Sequence, residues 1–230
     1  MNQLLDNPVY YALISGDSQK ALGNENVKYF ESAVSPFVGI RDNYTSGFEE
    51  LHDLLPDDRN ILYASREKLN GHAGWELNRL IEGSQFLYLS RRAFEEDFSA
   101  ILPLTPIHSA QMVELARLTK PGPFDLRTIE FGNYEGIFEG DKIVSMAGRR
   151  LHVFGYIEVS AVCTHPHSLG KGYATLLLKH QVNTILEEGK VPFLHVRSDN
   201  YRAIELYERL GFVRNGNMNF YVMSKLKEEQ

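Results

Sequence analysis

The sequence predicts an α/β fold, and three observations support that prediction. Short apolar runs rich in β-branched residues alternate with amphipathic segments along the chain. Two strand-like runs, at residues 134–138 and 142–149, flank a turn that contains Gly140, which indicates a β-hairpin. The apolar run 156–163 leads into a glycine-rich turn and then into a segment with apolar residues at helical spacing. This strand–turn–helix unit contains the clearest candidate binding site.

Composition and charge limit the classes of partner. The chain has 24 Lys and Arg against 30 Asp and Glu, a net charge of −6, which argues against a general nucleic-acid binder. Residues 1–100 carry 9 basic and 16 acidic side chains, so the remainder is close to neutral and repels an anionic ligand less. Cys163 is the single cysteine, which excludes an intrachain disulfide. Without a signal-peptide pattern or a long apolar run, we expect a cytoplasmic protein with no membrane partner.

Residues 1–100 are predicted to form an N-terminal α/β domain without a recognisable chemical signature. Pro56 ends one helical segment, and turn residues such as Asp42 and Asn43 separate the strand-like runs. The predicted helices are residues 8–22, 48–55 and 75–81. The predicted strands are residues 27–30, 36–40, 60–64 and 85–90.

Residues 101–230 are predicted to form a second domain with a clearer order of elements. Thr105 and Pro106 occupy the positions of an N-cap and a first helical residue, so a helix should follow the short strand 101–104. Asn215-Gly216 lies between two apolar runs and predicts a final β-hairpin of residues 212–213 and 218–224. The other predicted strands are residues 134–138, 142–149, 156–164 and 191–197, and the other predicted helices are residues 124–131, 174–186 and 201–210.

The glycine-rich turn, residues 169–174, is a candidate anion site. Such a turn can point several backbone N–H groups and the positive end of the next helix at a phosphate. A Walker loop needs a longer interval between its glycines than this turn has. A dinucleotide fingerprint needs a small residue where Thr175 stands and an acidic residue about 20 positions later, and Asp199 comes too late. Both nucleotide-binding interpretations are therefore disfavoured. Thermal shifts with ATP would test the Walker loop, and thermal shifts with NAD would test the dinucleotide site.

A third interpretation fits this turn better. Its sequence LGKGYA resembles the acyl-CoA loop [QR]-x-x-G-x-[GA] of the GNAT N-acetyltransferase superfamily. Gly172 and Ala174 match that pattern, whereas Leu169 replaces the expected Gln or Arg. The segment NYRAIELYERLGF, residues 200–212, resembles a second superfamily motif, N-x-x-A-x-x-[LF]-Y-x-x-x-G-F. The resemblance covers about 125 residues in the element order βααβββαβαββ.

The resemblance implies a GNAT fold for residues 101–230, with a mixed, mostly antiparallel sheet flanked by helices. Residues 1–100 are similar to a reduced half-copy of that fold, as in the glycine N-acyltransferase-like branch. The implied activity is N-acetylation: an acyl group passes directly from acetyl-CoA to an amine of a small molecule or peptide, without a metal. A non-catalytic acyl-CoA-binding module is the alternative, and the loss of Gln or Arg at Leu169 slightly favours it.

The resemblance also implies a cofactor site on both sides of the turn. Backbone N–H groups of residues 171–175 should bind the diphosphate, assisted by the side chains of Lys171 or Thr175. The pantetheine arm should lie against strands 161–164 and 191–197, with the Val162 N–H on the carbonyl. Asn200, Ala203 and Tyr207 should share one helix face because they are three and seven residues apart. The expected cofactor-binding residues are Val162, Thr164, Leu169, Gly170, Lys171, Gly172, Tyr173, Ala174, Thr175, Asn200 and Ala203.

Two residues are candidates for catalysis. The resemblance implies that Tyr207 protonates the leaving thiolate, and a core tyrosine with a bonded hydroxyl is the alternative. Glu158 is the only charge in an apolar strand, fourteen residues before Gly172, as is the general base of some histone-acetylating members. We expect burial to raise its pKa, unless it faces outward. Cys163 is expected in the core.

The identity of the acceptor is left open by the sequence. The acidic first part, residues 1–100, favours a cationic amine, whereas the likeness to glycine N-acyltransferases favours an amino acid. His165 and His167 are expected in a solvated loop or against the cofactor, since their spacing alone does not indicate a metal site.

Overall fold

One sheet of eleven strands forms the centre of the computed structural model, which describes residues 3–69, 71 and 73–226. The strands are β1 (Leu22–Gly23), β2 (Val27–Tyr29), β3 (Phe37–Ile40), β4 (Asn60–Ser65), β5 (Trp75–Tyr88), β6 (Leu102–Pro103), β7 (Glu135–Glu139), β8 (Lys142–Val153), β9 (Tyr156–Thr164), β10 (Val191–Arg197) and β11 (Phe212–Lys225). The α-helices are α1 (Pro8–Leu13), α2 (Gly47–Leu54), α3 (Ser109–Thr119), α4 (Tyr173–Glu187) and α5 (Tyr201–Arg209). Short 3₁₀ turns cover Gln3–Leu5, Ser18–Lys20, Pro106–His108, Thr128–Phe131 and Pro166–Ser168.

The strand order across the sheet is β1-β2-β3-β4-β11-β5-β10-β9-β8-β7-β6. Among the described strands, neighbours are antiparallel except for the pairs β3/β4 and β9/β10. The β9/β10 pair can be parallel because the crossover helix α4 connects the two strands. The predicted mixed, mostly antiparallel sheet flanked by helices is therefore confirmed.

The two faces of the sheet have separate cores. One face is covered by α4 and α5. There the apolar side chains of α4, such as Leu178, Val182 and Ile185, pack in one core with Leu194 of β10. Each such burial contributes about 1.5–3 kcal/mol. The opposite face is covered by α1 and α3, and its core includes Phe193. No helix within residues 3–69 and 73–226 is long and apolar enough to cross a bilayer.

The predicted helix at residues 75–81 is wrong, because this segment is the first half of β5. Its apolar residues fit helical spacing, yet Leu77 and Leu80 stay largely exposed. The segment is extended because it pairs with β11 along almost its whole length. Tertiary strand pairing has thus overridden the local pattern.

The predicted final hairpin is also wrong. Residues 212–225 form one continuous strand, β11, paired with β5 on one side and β4 on the other. Between Arg214 and Asn217 the register with β5 shifts by one residue, so Asn215-Gly216 forms a bulge and not a turn.

This arrangement bears on the boundary placed at residue 100. β5 precedes that boundary in the chain but lies between β10 and β11, which follow it. One apolar core also joins Leu13 and Phe37 to Met146 and Phe193. The sheet therefore crosses the boundary, and the division into domains 1–100 and 101–230 stays a prediction.

Candidate active site

The site lies where the parallel strands β9 and β10 separate. They pair only at their beginnings, from Tyr156 opposite Val191 to Glu158 opposite Phe193. Beyond that point the strands diverge and leave a cleft of about 600 Å³ between them. The cleft is lined by every predicted site residue except Glu158 and Lys171. Two motifs that are distant in sequence are thus brought to one cavity.

The glycine-rich turn forms one end of the cleft. Gly170 and Gly172 have φ angles of 83° and 81°, and a Cβ at either would meet no atom within 4 Å. The first intrahelical bond of α4 is donated by the Leu176 N–H to the Gly172 carbonyl. The N–H groups of residues 173–175 therefore precede the helical bonds of α4, at the positive end of its dipole. Open space and free donors together fit an anion.

A carboxylate outside the cleft anchors this turn. Glu139, at the end of β7, accepts hydrogen bonds from the Ser168 hydroxyl at 3.0 Å and the Lys171 ammonium at 2.7 Å, both on Oε1. The hydrogen bond from Lys171 holds the pKa of Glu139 below its usual range. The Lys171 ammonium is therefore engaged away from the cleft, whereas the sequence analysis expected the side chain of Lys171 or Thr175 to assist the diphosphate.

Strand β9 carries a bulge at the point where it lines the cleft. Met146 pairs with Cys163 and Gly148 with Ser160, so the two residues between them on β9 oppose one on β8. Ala161 takes the left-handed conformation, with φ of 54°, which costs a non-glycine residue about 1–2 kcal/mol. Such bulges re-aim backbone groups beside active sites. Val162, the predicted donor to the carbonyl, follows this strained residue and lines the cleft.

Helix α5 supplies the opposite wall. The Asn200 Oδ1 accepts the Ala203 N–H at 3.3 Å and caps the helix, and Ala203 and Tyr207 line the cleft on the same side. The Tyr207 ring packs on Phe212, and its hydroxyl has no hydrogen-bond partner among the described residues. Burial raises the pKa of Tyr207 to about 12, so the hydroxyl keeps its proton at neutral pH. A tyrosine with a bonded hydroxyl, the alternative interpretation, is not what the structure has.

Glu158 is fully buried beneath the cleft in a charged network. Arg150 donates from Nε to Oε2 at 2.8 Å and from Nη2 to Oε1 at 2.5 Å, and His195 Nδ1 lies 2.7 Å from Oε1. Burial acts to raise the pKa of Glu158, but the charge and hydrogen bonds of Arg150, together with the hydrogen bond from His195, lower it to about 2. The expected rise in pKa is therefore wrong. A carboxylate held this strongly in its ionised form is unsuited to act as a general base.

The His195 ring is fixed from both sides. Its Nε2 lies 2.9 Å from Nε2 of Gln85 on β5, which also donates to the Leu5 carbonyl. The Gln85 carbonyl oxygen accepts from Arg66 and Asn215. This pattern makes Gln85 the donor to Nε2, and His195 then donates from Nδ1 to Glu158. Neither ring nitrogen is left to take a proton from a substrate.

Comparison with known proteins identifies the fold. The family model described as FR47-like protein matches residues 134–221. A protein of Novosphingobium aromaticivorans that is assigned to the GNAT family of acetyltransferases is 28% identical, with 98% of this chain and 100% of that chain covered and a TM-score of 0.90. The chain has the GNAT fold.

More distant GNAT structures agree with this result. A GCN5-related N-acetyltransferase from Kribbella flavida is 12% identical over 93% of each chain, with a TM-score of 0.58. A GNAT-family acetyltransferase from Colwellia psychrerythraea is 12% identical over 98% of each chain, with a TM-score of 0.53. No curated protein matches the sequence. The resemblance to the GNAT superfamily is confirmed and supports acyl transfer as the reaction class; the glycine N-acyltransferase-like branch stays a prediction.

The cleft of this GNAT fold is lined by basic side chains, which sequence reasoning missed. The described lining contains no Asp or Glu. Its basic residues are Lys120, Arg150, Arg197, Arg202 and Arg209. Arg202 and Arg209 lie seven residues apart on α5, and that spacing could have indicated a basic stripe along the helix. Arg150 and Arg197 are paired with Glu158 and Asp199, so the positive charge that fits a polyanionic ligand comes from the other three.

Two further predictions concern the other reactive side chains near the cleft. Cys163 is buried in the core, as expected, and burial raises the pKa of its thiol to about 11. The thiol is therefore protonated at neutral pH and unsuited to act as a nucleophile. His165 and His167 lie in the loop before the glycine turn, where the His167 N–H donates to His165 Nδ1 at 3.3 Å.

Proposed function

We propose that this protein is an acetyl-CoA-dependent N-acyltransferase that transfers the acyl group directly to an amine of a small molecule or peptide. One observation carries the proposal. The cleft between β9 and β10 has free helix N–H groups at one end and the unbonded hydroxyl of Tyr207 within it.

Different residues of the basic cleft bind different parts of coenzyme A. The N–H groups of residues 173–175 take the diphosphate, which the two glycines allow to approach closely. Arg202 and Arg209 on α5 offer charge to the remaining phosphate. The small side chain of Ala203 leaves room for the pantetheine arm between the strands.

The reaction needs two groups that the cleft supplies. The amine attacks the thioester carbonyl, so a C–N bond forms as the C–S bond breaks. The Val162 N–H stabilises the charge that develops on the carbonyl oxygen. The Tyr207 hydroxyl gives its proton to the departing sulfur and recovers one from solvent.

The amine must also lose a proton, and no described side chain near the cleft is poised to take it. Glu158 is held ionised by Arg150, and both nitrogens of His195 are engaged. Positive charge nearby lowers the pKa of an amine by disfavouring its charged form. The basic lining therefore raises the fraction of neutral amine, and the proton passes to water in the open cleft.

A thiol-release assay with acetyl-CoA and a panel of amines tests the proposal, with acetyl-CoA binding measured in parallel by calorimetry. We expect micromolar to millimolar binding and acceptor-dependent release of free thiol. Binding without release over the whole panel would identify a non-catalytic acyl-CoA-binding module. A protein that does not bind acetyl-CoA would remove the proposed function altogether.

A further inference from the structure

Part of the cleft lining lies on the face of the sheet away from α4 and α5, and we take this part as a second mouth of the cleft. Along β10, Leu194 and Val196 belong to the core under α4 and α5, whereas Phe193 lies in the core of the opposite face. The His195 ring packs edge-on against Phe193 and Phe220, so it too faces that opposite side. Arg150 and residues 119–121, at the C-terminal end of α3, complete this mouth. Since coenzyme A is assigned to the α4/α5 side, the acceptor has this mouth as its entrance.

Arg150 presents one unused edge of its guanidinium there. Its Nε and Nη2 are committed to Glu158, and Nη1 has no partner among the described residues. A Cβ at Gly122, in the loop that follows Lys120, would lie 3.9 Å from Nη1. The guanidinium also sits 4.8 Å from the centre of the Phe37 ring, so it is held on two sides. Nη1 therefore offers two fixed N–H donors toward the mouth.

The charged side chains that the described residues bring to this mouth are basic. Glu158 is wholly buried behind Arg150, so an entering molecule meets the guanidinium and not the carboxylate. Lys120, at the C-terminus of α3, has a φ of 53° and no ion-pair partner among the described residues. The described lining contributes no Asp or Glu. A polyamine would meet like charges here, whereas a carboxylate would find a guanidinium edge and an ammonium.

We propose, on the basis of the acyltransferase function proposed above, that the acceptor is a small amine that also carries a carboxylate, such as an amino acid. Arg150 Nη1 and Lys120 bind the carboxylate. The amine then points into the cleft toward the separated strands. This assignment favours an amino acid over the cationic amine that the acidic charge of residues 1–100 had favoured.

Matched pairs of acceptors test the proposal with the full-length protein and acetyl-CoA. Glycine is compared with glycinamide, and phenylalanine with phenethylamine, by thiol release. Charged hydrogen bonds to the carboxylate should give the acid of each pair a kcat/KM about 10-fold or more above its partner. Lys120→Gln should raise the KM for the acids several-fold and leave the KM for phenethylamine unchanged. Lys142→Gln, an exposed lysine outside the cleft, is the control and should change neither.

The outcomes separate this inference from the function on which it rests. Equal or faster turnover of the carboxylate-free amines would overturn the inference and leave acyl transfer standing. So would an Arg150→Lys protein that folds normally and keeps the wild-type preference for acids. No thiol release with any acceptor would overturn both.

Discussion

Glu158 and Arg150 form a two-pronged ion pair in which the carboxylate is wholly inaccessible to solvent and the guanidinium keeps one edge in the cleft. The pair joins β9 to β8 at the point where β9 begins to separate from β10. Glu158 also holds His195 of β10. One buried carboxylate on β9 therefore fixes groups on two neighbouring strands, β8 and β10, around the opening of the cleft.

Glu158→Gln should lower stability by about 3–5 kcal/mol, because it leaves the Arg150 charge buried without its partner. Chemical denaturation at neutral pH measures this loss. Glu130→Gln is the control: it breaks an ion pair with Arg127 in which both side chains are well exposed, 44% for Arg127 and 42% for Glu130, so we expect a smaller loss. A similar loss of stability in both variants would contradict the prediction that the buried Glu158–Arg150 pair is needed for stability.

The same pair predicts a dependence of stability on pH. The folded-state pKa of Glu158, about 2, lies below its unfolded value near 4.3. Its contribution is therefore fully present above that unfolded value and is lost as pH falls toward 2. The stability difference between wild type and Glu158→Gln should shrink between about pH 5 and pH 2. A difference that stays constant over that range would show that the pKa is not depressed.

Tyr207→Phe should separate catalysis from folding. Since the hydroxyl has no hydrogen-bond partner in the described part of the chain, its removal should change the free energy of unfolding by less than about 0.5 kcal/mol. Turnover should fall about 100-fold or more if Tyr207 is the general acid, with little change in acetyl-CoA affinity. The matched control is Tyr221→Phe, whose buried hydroxyl is bonded to the Leu69 N–H and the Glu67 carbonyl. That variant should lose stability and keep its turnover number; the reverse pattern would remove Tyr207 from catalysis.

Gly172→Ala should weaken binding of acetyl-CoA by about 10-fold or more, equivalent to 1.4 kcal/mol. The added methyl group would occupy the open space in front of the N–H groups of α4 and would strain the left-handed backbone. Gly189→Ala controls for the strain, because Gly189 also has a positive φ, 71°, and open surroundings but lies outside the cleft. Both variants should lose similar stability, and calorimetry should show weaker binding for Gly172→Ala only.

The parts of the site that sequence could predict are those set by neighbouring residues. The positive φ of Gly172 and the apolar spacing of α4 arise from a few consecutive positions, and the turn and helix were predicted accordingly. The shared face of Ala203 and Tyr207 follows from helical geometry alone, and the cleft confirms it. Local sequence was therefore sufficient to place these residues on the α4/α5 side of the cleft.

The network around Glu158 depends on strand register and could not be predicted in this way. Arg150 reaches Glu158 because the β8/β9 register shifts between Arg149 and His152. Gln85 reaches His195 because β5 enters the sheet beside β10, although the two residues are 110 positions apart in sequence. The expectation of a raised pKa for Glu158 considered burial without these partners, and for that reason it had the wrong sign.

Glu139→Gln should weaken acetyl-CoA binding several-fold with little change in stability. The carboxylate ties Ser168 and Lys171, on either side of Gly170, to the end of β7, so its loss frees the turn that precedes α4. Exposed ion pairs contribute little to folding stability. The control is Glu130→Gln, which breaks an exposed pair with Arg127 far from the cleft. The melting temperature of Glu139→Gln should fall by no more than that of the control. Calorimetric titration with acetyl-CoA distinguishes the two variants. Equal affinity in both would show that the backbone of the turn holds its shape without Glu139.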